Sequence, residues 1–246
     1  MARSASARTV AGAAAVLTAA GVLSGCVSTQ TKAARIRVNA DRIRASQSDT
    51  RVTVANPEVT VTAVAVVSAG GRAAFVVTVR NNSDRPRSDL PISVGYRRHA
   101  GRAVYLNGAA GRDYFSAHLP AVAARRSLTW VFAPTRHLPR HARPFAIVGR
   151  TPSVTGAAGG RPPAIRVGAG AVSRGRVTVN VRNLSDIPQY QLPVYAIAER
   201  DGQMTAAGVA TVQELDAGAS QTLRLPLLGR IGNAPVRLEA AATIAQ

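Results

Sequence analysis

The residues of this chain that could carry chemistry are one cysteine and four histidines. All four histidines, at positions 99, 118, 137 and 141, lie in the first 150 residues. His137 and His141 have the spacing of two zinc ligands on one helical face, but Pro139 between them opposes a helix. Carboxylates are scarce nearby, and no second cysteine can complete a site. We therefore predict no metal centre.

Sequence motifs for catalysis are also lacking. No Gly-x-Ser-x-Gly elbow, phosphate-binding glycine loop or dinucleotide fingerprint occurs in a suitable context. The aromatic stretches 113–115 and 130–132 are candidates for a ligand-stacking surface, although aromatic side chains in β-sandwiches usually fill the core. We predict a protein with no cofactor and no enzymatic activity, and keep an uncharacterised enzyme as the weaker alternative.

The single cysteine follows a segment typical of an export signal. Residues 1–9 contain two arginines and no acid, and residues 10–22 are largely apolar but too short for a comfortable bilayer span. The residues that follow are Leu23, Ser24, Gly25 and Cys26. These four resemble the lipobox of bacterial lipoproteins. The resemblance implies cleavage after Gly25 and a diacylglycerol thioether on Cys26, whereas the alternative is a signal in which Cys26 is incidental.

Lipidation of Cys26 determines the predicted location. No later segment is long and apolar enough to cross a membrane, so the lipid would be the only anchor. With a single cysteine the chain can form no internal disulfide. We predict an extracytoplasmic protein, lipid-anchored through Cys26 to the outer face of the cell membrane.

The chain is strongly basic, with 31 basic and 12 acidic side chains and a formal net charge of +19. Every basic residue except Lys32 is arginine, and alanine and glycine are abundant, which indicates a GC-rich coding bias. A basic surface nevertheless attracts anionic polymers and anionic lipid headgroups. The arginines are scattered and no aromatic stacking platform accompanies them, so we predict no nucleic-acid partner.

A polar tether, residues 26–51, follows the signal peptide, residues 1–25. Within it, Ile36, Ala40 and Ile43 have helical spacing and are surrounded by arginines. Such a short helix could lie on anionic headgroups, pack against the first domain, or remain a disordered tether.

The remainder of the chain contains an internal repeat. Residues 77–96 align with residues 179–198 at a shift of 102 residues, and both segments contain Val-x-Val-Arg-Asn-x-Ser-Asp-x-Pro. This period exceeds that of solenoid repeats. We therefore predict two tandem domains, at 52–150 and 164–246, joined by a glycine- and proline-rich linker at 151–163.

Within each repeat the pattern is that of β-strands. Residues 75, 77 and 79 form an apolar face that alternates with a mixed one, and residues 177, 179 and 181 repeat the pattern. Several short strands per repeat, with no helical period, predict an all-β fold of two antiparallel β-sandwiches. The shared Asn-x-Ser, at Asn81 and Asn183, predicts a turn that ends a strand. The alternative is a glycosylation acceptor.

The second repeat carries the clearest resemblance to known domains. Its strand ending in Val-Arg-Asn-x-Ser-Asp is followed by Asp201-Gly202 and by residues 215–220, Leu-Asp-Ala-Gly-Ala-Ser. This arrangement resembles the immunoglobulin-like domains of bacterial envelope proteins, including the FxLYD type, although that signature is not matched literally. The first repeat departs from it by an insertion with residues 107–108 and 113–115. The resemblance implies the fold and an envelope setting, and no catalytic residue.

These observations predict a membrane-anchored, non-catalytic binding or scaffold module of the cell envelope. The expected partners are the membrane, through lipid on Cys26, and an envelope protein contacted through strand edges or loops. The alternative function is capture of an anionic wall polymer or lipid by the basic surface, and the weakest is an envelope enzyme.

Overall fold

The computed structural model describes residues 29–44, 51–98, 101–108, 112–134, 138–139, 142–150 and 162–244. They form one α-helix, one 3₁₀ turn at Tyr114–Ser116 and fourteen β-strands, as the all-β prediction requires. The helix is α1 (Thr29–Arg44), and the strands of the first repeat are β1 (Val59–Ala69), β2 (Arg72–Asn81), β3 (Leu90–Arg97), β4 (Ala103–Tyr105), β5 (His118–Leu119), β6 (Ser127–Phe132) and β7 (Arg143–Val148). The strands of the second repeat are β8 (Ile165–Ser173), β9 (Arg176–Asn183), β10 (Gln189–Arg200), β11 (Gln203–Leu215), β12 (Ser220–Pro226), β13 (Leu228–Gly229) and β14 (Val236–Ala240).

The two repeats share one topology. In the first, one sheet has the order β1-β2-β6, and in the other β3 pairs with β4, β5 and β7. In the second, the sheets have the orders β8-β9-β12 and β13-β11-β10-β14, and all pairs are antiparallel. Ile92 pairs with Val148 and the equivalent Val194 pairs with Ala240. The repeat seen in the sequence is therefore a repeat of strand pairing.

The predicted inward faces are confirmed. Phe75, Val77 and Val79 are fully buried in the hydrophobic cluster of the first repeat. Val177, Val179 and Val181 are fully buried in that of the second. Burial alternates along β9, as expected for a strand with one face on the core, whereas on β2 the outward Val76 is buried as well.

The first hydrophobic cluster is not confined to the first repeat. It also includes Tyr195, Ile197 and Ala207 of the second repeat, all almost fully buried. On β10 the alternate residues Leu192 and Val194 belong instead to the second cluster. Because successive strand residues point to opposite faces, β10 packs on both repeats at once.

The four sheets consequently form a stack. The β3 sheet lies at one end, followed by the β1-β2-β6 sheet, the β10-β11 sheet and the β8-β9-β12 sheet. Strands β1, β2 and β6 contact β11 across the boundary between the repeats. The division into two separately folding domains stays a prediction, since part of the core is shared.

Helix α1 is present where the sequence suggested one. Ala40 and Ile43 are 2% and 0% exposed and pack with Tyr114 of the first repeat and with Ile187 and Ile244 of the second. The apolar face therefore packs at the junction of the repeats. The predicted packing against the first domain is met only in part, because Ile187 and Ile244 of the second repeat belong to the same cluster. No described helix is long and apolar enough to span a membrane.

Candidate binding surface

Of the four histidines considered as metal ligands, His118 lies among the described residues. His118 stacks on Tyr114, with ring centroids 4.2 Å apart and an interplanar angle of 16°. The other three histidines lie outside the described residues, as do Cys26 and most of the linker. Among the described residues, no three side chains that could ligate a metal come together.

The aromatic stretches belong to the core rather than to a stacking surface. Trp130 is fully buried, donates its Nε1–H to the Phe115 carbonyl at 3.0 Å, and lies parallel to Phe132 at 5.8 Å. Phe115 is itself 5% exposed. The core interpretation of both stretches is confirmed.

The insertion of the first repeat connects the two repeats. The Tyr114 amide donates to Gln191 Oε1 at 3.0 Å, and the Thr211 hydroxyl donates to Asp113 Oδ2 at 3.0 Å. Asn107, 1% exposed, holds the base of the insertion through Val94 N–H and the Ile92 carbonyl. The insertion is therefore bonded to the second repeat through Asp113 and Tyr114.

The two Asn-x-Ser motifs form the same turn twice. Asn81 is fully buried and donates its Nδ2 to the carbonyls of Arg85, Val122 and Ala123 at 2.8–3.3 Å. Its Oδ1 accepts from Ser83, both from the amide and from the hydroxyl. The second repeat has the same bonds, from Asn183 to the carbonyls of Ile187, Leu215 and Asp216 and from Ser185. The turn prediction is confirmed, and a buried amide with three acceptors is unsuited to be a glycosylation acceptor.

The outer side of the β8-β9-β12 sheet carries several exposed arginines, and we call it the basic face. Its outward side chains fall in rows across the three strands. Arg166, Arg182 and Ser220 form one row, and Gly168, Asn180 and Thr222 form the next. Thr178 and Arg224 pair in a further row. Rows two residues apart are separated by about 7 Å along the strands.

The composition of the basic face is unusual for a sheet. Arg166, Arg176, Arg182 and Arg224 point outward and are exposed, and none of the outward residues of these three strands is acidic. Arg166 lies directly opposite Arg182, an arrangement of like charges that destabilises strand pairing by a few tenths of a kcal/mol or more. None of these four arginines forms an ion pair with a described residue. The arginine side chains therefore present their donors to solvent.

The equivalent sheet of the first repeat has the opposite character. Where β9 and β12 carry Thr178 and Arg224, β2 and β6 carry Val76 and Val131, which are 1% and 3% exposed. The second repeat covers this apolar surface, whereas on the basic face Arg224 is exposed and Thr178 is only partly buried.

A polar cluster lies between the repeats. Tyr195 and Glu239 are cross-strand partners, and Glu239 accepts from the Thr129 amide and from Arg237, both at 3.2 Å. Arg237 also donates to the Thr129 hydroxyl at 2.9 Å. Burial raises the pKa of Glu239, and Thr129 and Arg237 oppose that rise. Burial, and secondarily the Glu239 charge, raises the pKa of Tyr195 well above its ordinary value.

The Tyr195 hydroxyl is fully buried and has no hydrogen-bond partner among the described residues. It therefore remains neutral at physiological pH, and the cluster acts as a polar contact between the repeats.

Sequence reasoning did not identify the basic face, because its arginines come from three strands. The only local signal was the polar alternation of residues 176, 178, 180 and 182 on one strand. No protein-family model matches the chain, and comparison with curated proteins finds no significant similarity.

Proposed function

We propose that this protein is a non-catalytic binding protein of the bacterial cell envelope, held at the membrane by lipid on Cys26, and that its basic face binds an anionic wall polysaccharide. The observation that carries the proposal is a sheet face with four exposed arginines, at positions 166, 176, 182 and 224, and no acid. Guanidinium groups bind carboxylate and phosphate through paired, charge-assisted hydrogen bonds.

The polar residues between the arginines favour a polysaccharide over the other predicted partners. Asn180 and Thr222 form a row of amide and hydroxyl groups beside the Arg166–Arg182 row, and such groups suit sugar hydroxyls. A lipid surface is usually bound through inserted apolar side chains together with basic ones. The outward residues within β8, β9 and β12 include no large apolar side chain, and the exposed Leu184 lies beyond them, after the end of β9. A protein partner is the second candidate, because the first repeat shows that an outer sheet face of this fold can be covered by another sheet.

The test uses the chain from Val27 to Gln246, so that no lipid contributes. Its affinity for polygalacturonate, a carboxylated polysaccharide, is measured by titration calorimetry over a salt series, with neutral dextran as the reference polymer. The test variant is R166Q/R182Q/R224Q. The control variant, R72Q/R126Q/R230Q, removes the same charge at three exposed positions outside the basic face.

We expect the test variant to lose affinity roughly tenfold or more and the control to change far less, because only the first removes clustered donors. Binding should also weaken steeply as salt rises. Equal losses in the two variants would attribute binding to net charge alone and contradict the proposed site.

The anchor is tested separately in cells. We expect Cys26→Ser to accumulate as an unprocessed, unlipidated precursor, which mass spectrometry of the membrane and soluble fractions will detect. A Cys26→Ser protein that is still cut after Gly25 and still held at the membrane would refute lipidation at this position.

A further inference from the structure

A second arginine-bearing surface lies at the opposite end of the stack, on the outer side of the β3 sheet. Gly95 is at its centre, with Tyr105 of β4 and Phe145 of β7 as its cross-strand partners. The two rings meet edge to face, with centroids 5.4 Å apart. A Cβ atom on Gly95 would lie 2.0 Å from the Val104 carbonyl oxygen and 2.9 Å from the Phe145 ring. Only glycine leaves room for this arrangement.

Two arginines stack on these rings. The guanidinium carbon of Arg51 lies 4.9 Å from the centroid of Tyr105, and that of Arg97 lies 5.3 Å from the centroid of Phe145. A stacked guanidinium keeps the N–H donors in its plane free while its side chain loses rotational freedom. Less conformational entropy is then lost when it binds an anion.

This surface, which we call the aromatic face, resembles the basic face in carrying exposed arginines that lie opposite one another. Arg97 lies directly opposite Arg143 in the β3–β7 pair, and both are exposed. Neither they nor Arg51 form an ion pair with a described residue. The arrangement places three arginines around two half-buried rings.

The corresponding surface of the second repeat is covered by the first repeat, through Tyr195, Ile197 and Ala207. On the aromatic face, by contrast, Arg51, Arg97 and Arg143 are exposed and the two rings are only partly buried. A second copy of the chain is a poor occupant, because both sheet faces that it leaves uncovered, the basic face and the aromatic face, carry exposed arginines. Charge complementarity therefore favours an anionic occupant.

The geometry points to the aromatic face as a second binding site for an acidic sugar unit, so that the protein bridges two strands of anionic polysaccharide. This inference rests on the proposed function of the basic face. Aromatic side chains provide an apolar surface of the kind that sugar rings contact, and the stacked guanidinium groups provide donors for the carboxylate.

Bridging follows from the position of the two faces. They lie on the outer sides of the first and fourth sheets, and packed sheets are about 10 Å apart, so the faces are separated by about 30 Å and point in opposite directions. One extended polymer strand cannot lie on both. A protein with two such faces would hold two strands together.

The experiment compares binding with bridging in the chain from Val27 to Gln246. Polygalacturonate is mixed with the protein, and light scattering reports cross-linked polymer, while calorimetry with a short oligogalacturonate counts the sites. The variants are R51Q/R97Q/R143Q for the aromatic face, R166Q/R182Q/R224Q for the basic face, and R72Q/R126Q/R230Q as the control for charge. Y105L/F145L removes both rings but keeps apolar side chains at their positions.

We expect two sites per chain, and scattering that both face variants abolish and the control retains. Each face variant should keep one site for the short oligogalacturonate and no longer cross-link the long polymer, because a protein with one binding face holds only one strand. Y105L/F145L should weaken binding at the aromatic face and leave binding at the basic face unchanged.

Two results would overturn the inference in different ways. If the aromatic-face variant bridges as well as the native chain, or if calorimetry finds a single site on the basic face, the proposed function stands and bridging is wrong. If the native chain ignores the polysaccharide but binds anionic phosphatidylglycerol vesicles, the ligand is a lipid surface and both proposals fail.

Discussion

The two repeats pair their strands identically and use equivalent faces in opposite ways. Val76 and Val131 on the first repeat correspond to Thr178 and Arg224 on the second, at the same places in the register. The valines are buried against the second repeat, while Thr178 is partly exposed and Arg224 is exposed. The comparison teaches that a few outward residues decide whether a sheet of this fold becomes an interface or a free surface.

The other pair of equivalent faces shows the same division. Tyr195 and Ile197 on β10 are buried against the first repeat, whereas the corresponding Gly95 on β3 lies at the centre of the aromatic face and Ser93 is buried beside it. Ser93 accepts from the Val52 amide at 2.8 Å, so part of this sheet is protected by the preceding segment. Within the described part of the chain, each repeat therefore has one arginine-bearing face on which no other sheet packs.

The largest expected effect concerns the cores. Trp130 and Leu223 occupy equivalent positions opposite Val77 and Val179, but Trp130 is fully buried and Leu223 is partly exposed. Trp130→Ala should lower the free energy of unfolding by about 3 to 5 kcal/mol, from lost burial and a cavity, and Leu223→Ala by clearly less. Urea unfolding measures both. Equal losses would mean that the two cores contribute alike.

Exchanging the residue types at the equivalent outward positions 131 and 224 tests whether they decide which sheet face is covered. Val131→Arg should destabilise the protein by about 3 kcal/mol or more, because it buries an unpaired charge between the repeats. Arg224→Val, at the equivalent exposed position, should change stability by less than about 0.5 kcal/mol and promote self-association through a new apolar patch. Thermal unfolding and analytical ultracentrifugation test the pair. A Val131→Arg protein as stable as the native one would show that the stacked arrangement is not needed.

Substitution of the turn asparagine should destabilise the two repeats equally, because the turn is the same in both. Asn81→Ala and Asn183→Ala each remove a buried amide that serves three carbonyls and one serine, so each should cost about 2 kcal/mol. Chemical denaturation of the two variants gives the comparison. A loss confined to one repeat would indicate that the other turn is formed by its backbone alone.

The smallest expected effect is a dependence on pH at the boundary between the repeats. Since burial raises the pKa of Glu239 in the folded protein, the folded state keeps that proton to a higher pH than the unfolded chain does. The free energy of unfolding should therefore fall as pH rises from the ordinary pKa range of glutamate through the raised pKa of Glu239, and then level off. Thr129 and Arg237 face the same carboxyl and limit the change.

Glu239→Gln should flatten this dependence, and Glu199→Gln, at an exposed position on the neighbouring strand, is the control. Thermal unfolding between pH 4 and pH 8 measures it. If Glu199→Gln flattens the profile as much as Glu239→Gln does, the boundary cluster is not its source.

The sequence by itself determined the features that depend on neighbouring residues. Alternation on residues 75–79 and 177–181 fixed the strands and their inward faces, because side chains on a strand point alternately to its two sides. The shared Asn-x-Ser fixed the turns, since the Asn side chain bonds to backbone groups close to it. The spacing of Ile36, Ala40 and Ile43 indicated the helix but not what its apolar face contacts.

Only the tertiary structure decided which surfaces meet. Arg166, Arg182 and Arg224 come from three strands, and the aromatic face joins residues 51, 97, 105, 143 and 145, so neither surface exists until strands distant in the chain are paired in register. The same holds for the burial of Tyr195 and Ile197 against the first repeat. Local sequence sets the conformation of a strand, but the covering of its second face depends on the free energy of packing one sheet on another.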